Sequence, residues 1–278
     1  MKVPFNINLS GKTAIVTGGS GTLCSAMAYG LAVCGAKVAI IGRNKEKLAS
    51  VSEKLTKDAL DEYNKNVTVK GYSCNVINKD ELTAAYETIK NELGSCDILI
   101  NGAGGNQPGA ITSIEMLKKE KEDSDYSFWN LDEDRIRDVM DLNYMGTLLP
   151  IQVFTKDMVE KRSGSIINIA SVTSILPLTK VMAYGNAKSA ILNLTQWLAV
   201  HFGESGIRCN AIAPGFFLTE QTLPNRIMTS YSMQTEHTQT VPEKLLPEHL
   251  WDALAILKSL LALHSFLQAM KQPALSMV

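Results

Sequence analysis

Tyr184-Gly185-Asn186-Ala187-Lys188 spaces a phenol and an ammonium four residues apart. On a helix that spacing puts both on one face. A free tyrosine titrates near pH ~10 and is a poor base at neutral pH. A neighbouring cation favours the phenolate and lowers that value. Such a group can exchange a proton with a carbinol while hydride moves to or from a nicotinamide ring. Ser171 stands 13 residues before the tyrosine and can hydrogen-bond the substrate oxygen. The pattern occurs twice, because Ser73, Tyr86 and Lys90 repeat it with the same spacing. Spacing alone does not choose between the two sets; the elements that carry them must.

Short β-branched runs alternate with helical patterns through the first two thirds of the chain. Strands are expected at 13–17 (TAIVT), 37–41 (KVAII), 67–72, 96–101 (CDILIN), 165–170 (SIINIA) and 208–213. Helices are expected at 22–34, 45–64, 79–93 and 182–203, with one long helix at 132–161 broken near Gly146 and Pro150. Continuous apolar strands separated by helices imply a parallel sheet covered on both faces. Right-handed crossovers make it doubly wound, a single α/β domain of Rossmann type, with ligands at the carboxyl ends of the strands. Ser171 follows the fifth strand, beside the fourth, where the reactive end of a dinucleotide belongs. Ser73 follows the third strand, on the adenosine side. Position therefore selects Ser171, Tyr184 and Lys188, and leaves Tyr86 and Lys90 as ordinary helix residues.

The turn Thr17-Gly18-Gly19-Ser20-Gly21-Thr22-Leu23-Cys24 joins the first strand to the first helix. Glycines there let the backbone approach a pyrophosphate, and the helix N-terminus favours its charge. Gly18, Ser20, Gly21, Thr22 and Leu23 are the candidate contacts. The second strand ends Ile41-Gly42-Arg43-Asn44, with no carboxylate to receive ribose hydroxyls. Arg43 can meet a 2′-phosphate with charge-assisted hydrogen bonds, with Asn44 beside it, so NADP is favoured slightly over NAD. After the fourth strand, Asn101-Gly102-Ala103-Gly104-Gly105 is a second small-residue stretch suited to packing against the cofactor.

The remaining composition excludes more than it assigns. The 278 residues carry 27 Lys+Arg against 28 Asp+Glu, so no bulk charge favours nucleic acid or an acidic membrane. Residues 250–270 are apolar-rich but interrupted by Asp252, Lys258 and His264, which fits a buried or amphipathic helix better than a span. The start shows no signal peptide. Five cysteines without a C-x-x-C pair read as reduced thiols of a cytoplasmic protein, and four histidines show no metal-site spacing. Residues 112–131 form a charged insertion that serves as a solvated loop or as a lid over the substrate.

These motifs together resemble the short-chain dehydrogenase/reductase family from about Leu9 to Gln221. The resemblance rests on Thr17–Cys24, Asn101–Gly104, Asn143 in Asp-Leu-Asn, then Ser171, Tyr184, Lys188 and Pro214-Gly215. It implies that Asn143 completes a catalytic tetrad and supports a relay water near Lys188. It implies cofactor contacts from Tyr184 and Lys188, from Asn75 and Val76 after the third strand, and from Pro214, Gly215 and Phe217 where the substrate loop begins. The stretches NGAGGNQP, DLNYMGTLLPIQVFTKDM, TQWLAVHF and NAIAPGFFLTEQ look like the D-mannonate oxidoreductase (fructuronate reductase) branch. That branch implies a small sugar-acid substrate, with gluconate 5-dehydrogenase-like reductases as the near alternative. The family implies a homo-oligomer, often a tetramer. Two departures stand out: Thr22 and Cys24 replace the usual glycines, and Asn75 replaces a common Asp.

The resemblance stops at Gln221, which divides the chain into 1–221 and an atypical tail at 222–278. Reading each codon of 248–262 from the third base of the preceding one permits T-P-M-G-R-F-G-N-P-E-E-F-I-G, a family-like ending. Three products are forced by the code: Gly from Trp251-Asp252, Glu from Met270-Lys271 and Gly from Met277-Val278. A one-register slip near Gln221 accounts for these, and it implies the loss of the usual last strand. A catalytically inactive nucleotide-binding protein is the alternative such a tail raises.

Overall fold

The computed structural model describes residues 7–117 and 127–215. The described residues as far as Ala213 form the first of two units. The first unit carries six parallel strands: β1 (Thr13–Thr17), β2 (Lys37–Gly42), β3 (Val69–Ser73), β4 (Ile98–Asn101), β5 (Gly164–Ile169) and β6 (Ile207–Ile212). Their order is β3-β2-β1-β4-β5-β6. The order reverses between β1 and β4, which opens a crevice at their carboxyl ends. The register places Thr17 beside both Ile41 and Asn101, and Asn101 beside Asn168, so those ends are level. The doubly wound α/β sheet expected from the strand pattern is therefore present.

Burial explains which strands were easy to read. Every residue of β1 and β4 is buried, as a central parallel strand requires. β3 lies at the edge and buries only Val69. Its start differs from the expected Val67 because pairing begins where the Val38 N–H donates to the Thr68 carbonyl (2.9 Å) and Val38 comes into register with Val69.

Three helices start on side-chain caps. Asn44 accepts from the Lys47 N–H ahead of α2 (Lys45–Tyr63), and Asn78 from Asp80 and Glu81 ahead of α3 (Lys79–Leu93). Asp132 accepts from Asp134 and Arg135 ahead of α4 (Glu133–Met140). α1 (Thr22–Val33) has none: Gly21 stands at its N-cap and no acidic residue follows in the first turn. Its leading N–H groups remain available to an anion.

The long helix expected at 132–161 is divided differently. α4 passes into a π-turn at Asp141–Met145, then α5 (Gly146–Phe154) and α6 (Lys156–Lys161). Pro150 lies inside α5 and does not break it. The break falls at Thr155, where the backbone N–H (3.2 Å) and Oγ1 (2.6 Å) both bond to the Ile151 carbonyl and close the turn.

The second Ser/Tyr/Lys set is not assembled. The Ser73 hydroxyl donates to the Arg43 carbonyl (3.1 Å). Tyr86 is buried, donates to Asp157 Oδ2 (2.7 Å) and accepts from the Cys96 N–H (3.2 Å). Lys90 pairs with Asp157 at 3.0 Å. Both therefore tie α3 to α6 around a carboxylate whose partners the linear pattern does not reveal.

Candidate active site

The two glycine-rich turns meet at the crevice. Thr17 Oγ1 accepts from the N–H groups of Gly102 (3.1 Å) and Ala103 (3.2 Å) and so pins one turn to the other. Gly18 has φ +65°, and a Cβ there would lie 2.7 Å from the Gly102 carbonyl oxygen. Glycine is the residue that satisfies both conditions. Ser20 stands near the end of β2, with its Oγ 3.5 Å from where a Gly42 Cβ would be. Thr22 and Leu23 open α1 directly behind Gly21. Cys24, one of the two departures from the family glycines, is buried, and its Sγ sits against Gly102, where a Cβ would approach to 2.1 Å. The space that a small residue would leave on α1 is thus supplied by a glycine just after β4. Burial, partly offset by the Lys188 charge, pushes the Cys24 thiol up to about 11.

The cofactor-contact expectations divide. Arg43 is exposed at the end of β2. Asn44 has its side-chain oxygen committed to capping α2 (2.7 Å from Lys47 N). The Asn101 side chain is turned into the core, where it donates to Asn168 Oδ1 (2.9 Å); Asn168 in turn donates to Thr195 Oγ1 (2.9 Å). Asn101 thus ties β4 to β5 below the crevice. Asn75 is half-buried after β3, its N–H bound to Glu81 Oε2 (2.8 Å). Val76 is buried against Gly146, where a Cβ would lie 2.9 Å from its Cγ2. Pro214 and Gly215 follow β6 in the chain. Phe217, the tail from 222 and most of the charged part of the 112–131 insertion lie outside the described residues. At the near end of that insertion, the Thr112 N–H donates to the Lys180 carbonyl (3.1 Å), joining it to the loop that leads to α7 (Met182–His201).

At the reactive end, Ser171 follows β5 and caps the short 3-10 turn Val172–Ser174. Its Oγ accepts from the Thr173 N–H (3.2 Å). α7 brings up Tyr184 and Lys188 one turn apart, with the Lys188 Nζ 5.5 Å from the Tyr184 ring centre. Lys188 is 4% exposed and donates to the Ile169 carbonyl (2.8 Å). Asn143 is fully buried in the π-turn. Its Nδ2 donates to the carbonyls of Gly105 (2.7 Å) and Val139 (2.8 Å), and its Oδ1 accepts from the Gly105 N–H (3.3 Å). Gly104 threads between the last two: a Cβ there would lie 2.5 Å from Asn143 Oδ1 and 3.3 Å from Lys188 Nζ.

The electrostatics differ from the simplest expectation. Burial raises Tyr184 above its ordinary value, and a hydrogen bond from Ser171 only partly opposes this. Burial also depresses Lys188, to about 8, so its charge is kept at neutral pH but held less firmly. The site as built holds a protonated tyrosine beside a buried lysine held well below its ordinary value.

Among the described residues no group of His, Cys, Asp or Glu is placed to hold a metal ion. No described helix is long and apolar enough to cross a membrane.

Known proteins match this arrangement. The short chain dehydrogenase family model matches residues 12–228. The uncharacterized oxidoreductase UxuB of Bacillus subtilis is 45% identical over 219 residues, 79% of this chain and 76% of that protein. The 2-dehydro-3-deoxy-D-gluconate 5-dehydrogenase of Formosa agariphila is 34% identical over 222 residues, 79% of this chain and 75% of that protein. A crystal structure from Haemophilus influenza, provisionally named a D-mannonate oxidoreductase and holding bound NAD, superposes with a TM-score of 0.72 and 42% identity, over 85% of this chain and 80% of that one. With the crossed sheet, the paired glycine turns and the Ser171/Tyr184/Lys188 cluster already in place, these matches make the chain an oxidoreductase belonging to the short-chain dehydrogenase family.

Proposed function

We propose that the chain interconverts a keto and a hydroxy sugar acid, D-fructuronate and D-mannonate, using NADP or NAD. The observation that carries this is the convergence of Ser171, Tyr184, Lys188 and Asn143 against Gly102–Gly105, beside the uncapped start of α1. A dinucleotide fits that end of the sheet, because α1 starts without a side-chain cap and offers its free donors to a phosphate. When bound, a nicotinamide dinucleotide supplies the hydride acceptor or donor. Tyr184 holds the transferable proton at Oη. The Thr173 N–H fixes the Ser171 hydroxyl beside Tyr184, where a substrate oxygen would take over the hydrogen bond that Ser171 now gives the phenol. Lys188 spends one of its three donors on Ile169, and the others suit ribose hydroxyls. Asn143 holds the loop at Gly105. The sugar-acid class is supported by the D-mannonate and dehydro-deoxygluconate names of similar proteins.

The test is nicotinamide oxidation by the purified chain with D-fructuronate, 5-ketogluconate and 2-dehydro-3-deoxygluconate. Turnover of fructuronate is expected. Selective turnover of 5-ketogluconate favours the gluconate 5-dehydrogenase alternative, and cofactor binding without turnover of any substrate favours the inactive nucleotide-binding reading.

Arg43 carries the NADP preference, since no acidic residue follows β2 and Asn44 is committed to its cap. Arg43→Ala is expected to lower kcat/KM for NADPH by about 10- to 100-fold, the range of a lost charged hydrogen bond, while NADH is left within a factor of about three. An unchanged ratio of the two would remove Arg43 from the cofactor site.

The chain after Gln221 is, on this reading, a shifted frame. The family match ending at residue 228 supports a seam in that neighbourhood. Resequencing codons 215–230 is expected to find a one-register change; an unbroken frame there refutes it.

A further inference from the structure

We propose that Thr147 is a positioning residue for the active site, acting through Asn143. The inference rests on the site reading above and adds a residue to it. Asn143 lies in Asp141–Met145, which is wound as a π-turn, and it meets the crevice at Gly105. A π-turn interrupts the regular helical ladder and is held by whatever else bonds its groups. Here the Asn143 carbonyl accepts from Thr147 Oγ1 at 2.8 Å, with both residues at or below 1% exposure. Water does not reach that depth, so the hydroxyl's bond to the carbonyl has no solvent substitute.

The consequences run outward by contact. The Asn143 amide uses its two donors on Val139 and Gly105 and its oxygen on the Gly105 N–H. Gly104 then passes between Asn143 and the Lys188 ammonium with no room for a Cβ. Rotation of Asn143 by a fraction of a turn would release Gly105 and change what faces Lys188. The segment beyond is braced as well, since Gly146 is wedged against Val76. The Thr147 hydroxyl bonds to the Asn143 carbonyl, which gives its effect on the site a route through that residue.

Thr147→Val keeps the shape and removes the hydroxyl; Thr147→Ser keeps the hydroxyl. In the cofactor-free protein, amide hydrogen exchange at Gly105 is expected to quicken about tenfold in Thr147→Val and to return to the parent rate in Thr147→Ser. In the loaded enzyme, kcat is expected to fall about tenfold in Thr147→Val, with the pH profile displaced and the cofactor Kd held within a factor of about two. On an Asn143→Ala background the same substitution should cost nothing further, because the route is already cut. Unchanged Gly105 exchange overturns the proposal, as does an equal loss on the Asn143→Ala background. The exchange measurement does not require turnover. A chain inactive on every sugar acid but with a Thr147-dependent Gly105 amide would sink the proposed function alone.

Discussion

Tyr184→Phe is expected to lower kcat about 10³-fold, within the range that general acid–base groups supply, while leaving cofactor binding nearly intact. The ring itself is retained, so its packing beside Lys188 persists and only the Oη proton is lost. Steady-state turnover and a cofactor fluorescence titration check the two halves separately. Turnover within about tenfold of the parent would remove Tyr184 as the acid/base. The direction of reaction should matter too. Burial holds Tyr184 above its ordinary value despite the Ser171 hydrogen bond, so at neutral pH it starts as the acid. Keto-acid reduction uses that form directly. Alcohol oxidation needs the phenolate, and its kcat should climb as pH rises above neutrality.

The two Ser/Tyr/Lys sets show how far the linear pattern reaches. Their spacing is identical, yet strand order alone separates them, since β3 is an edge strand and β5 lies next to β4. That much was legible, because buried central strands such as β1 and β4 are continuous apolar runs, although β4 starts at Ile98 and not at the expected Cys96. The clamp on Gly105 was not. Asn143 was marked only by family likeness; its hydrogen bonds depend on a π-turn, and no periodicity argument resolves a one-residue change of winding. The partner of the Asn101 amide was not legible either. The motif expects it near the cofactor, but a buried amide must find partners, and Asn168 on the adjacent strand is in register to provide one. The Cys24 departure looked like lost room on α1. The compensation sits just after β4, at Gly102, 78 residues away in the chain and adjacent only once the sheet forms. Asp157 was passed over for a similar reason: the Tyr86 and Lys90 that hold it lie on another helix.

Lys188 should reveal itself in stability as well as in turnover. Its ammonium is 4% exposed, and burial pulls its value from the ordinary 10.5 to about 8. A lysine depressed in the folded state is charged more readily when unfolded. Between about pH 8 and 10.5 the unfolded chain therefore binds more protons, and stability must rise with pH across that window. Below it the folded protein carries the full penalty, about 3 kcal/mol at 1.36 kcal/mol per unit. Lys188→Met removes this penalty but leaves the Ile169 carbonyl without its donor, a loss of about 1–3 kcal/mol. At pH 7 the two terms nearly cancel, and the variant should unfold at a similar urea concentration to the parent. At pH 10 most of the penalty has gone from the parent, whereas the orphaned carbonyl remains in the variant. The parent should then be the more stable by roughly the full carbonyl cost. Turnover should be lost at both pH values, because the methionine offers no donor to a ribose and no charge beside Tyr184. Urea titrations of both proteins at pH 7 and pH 10 measure the difference, in which every other titrating group is common. A gap that stays constant between the two pH values would mean that Lys188 is not held in the dry position beside Ile169.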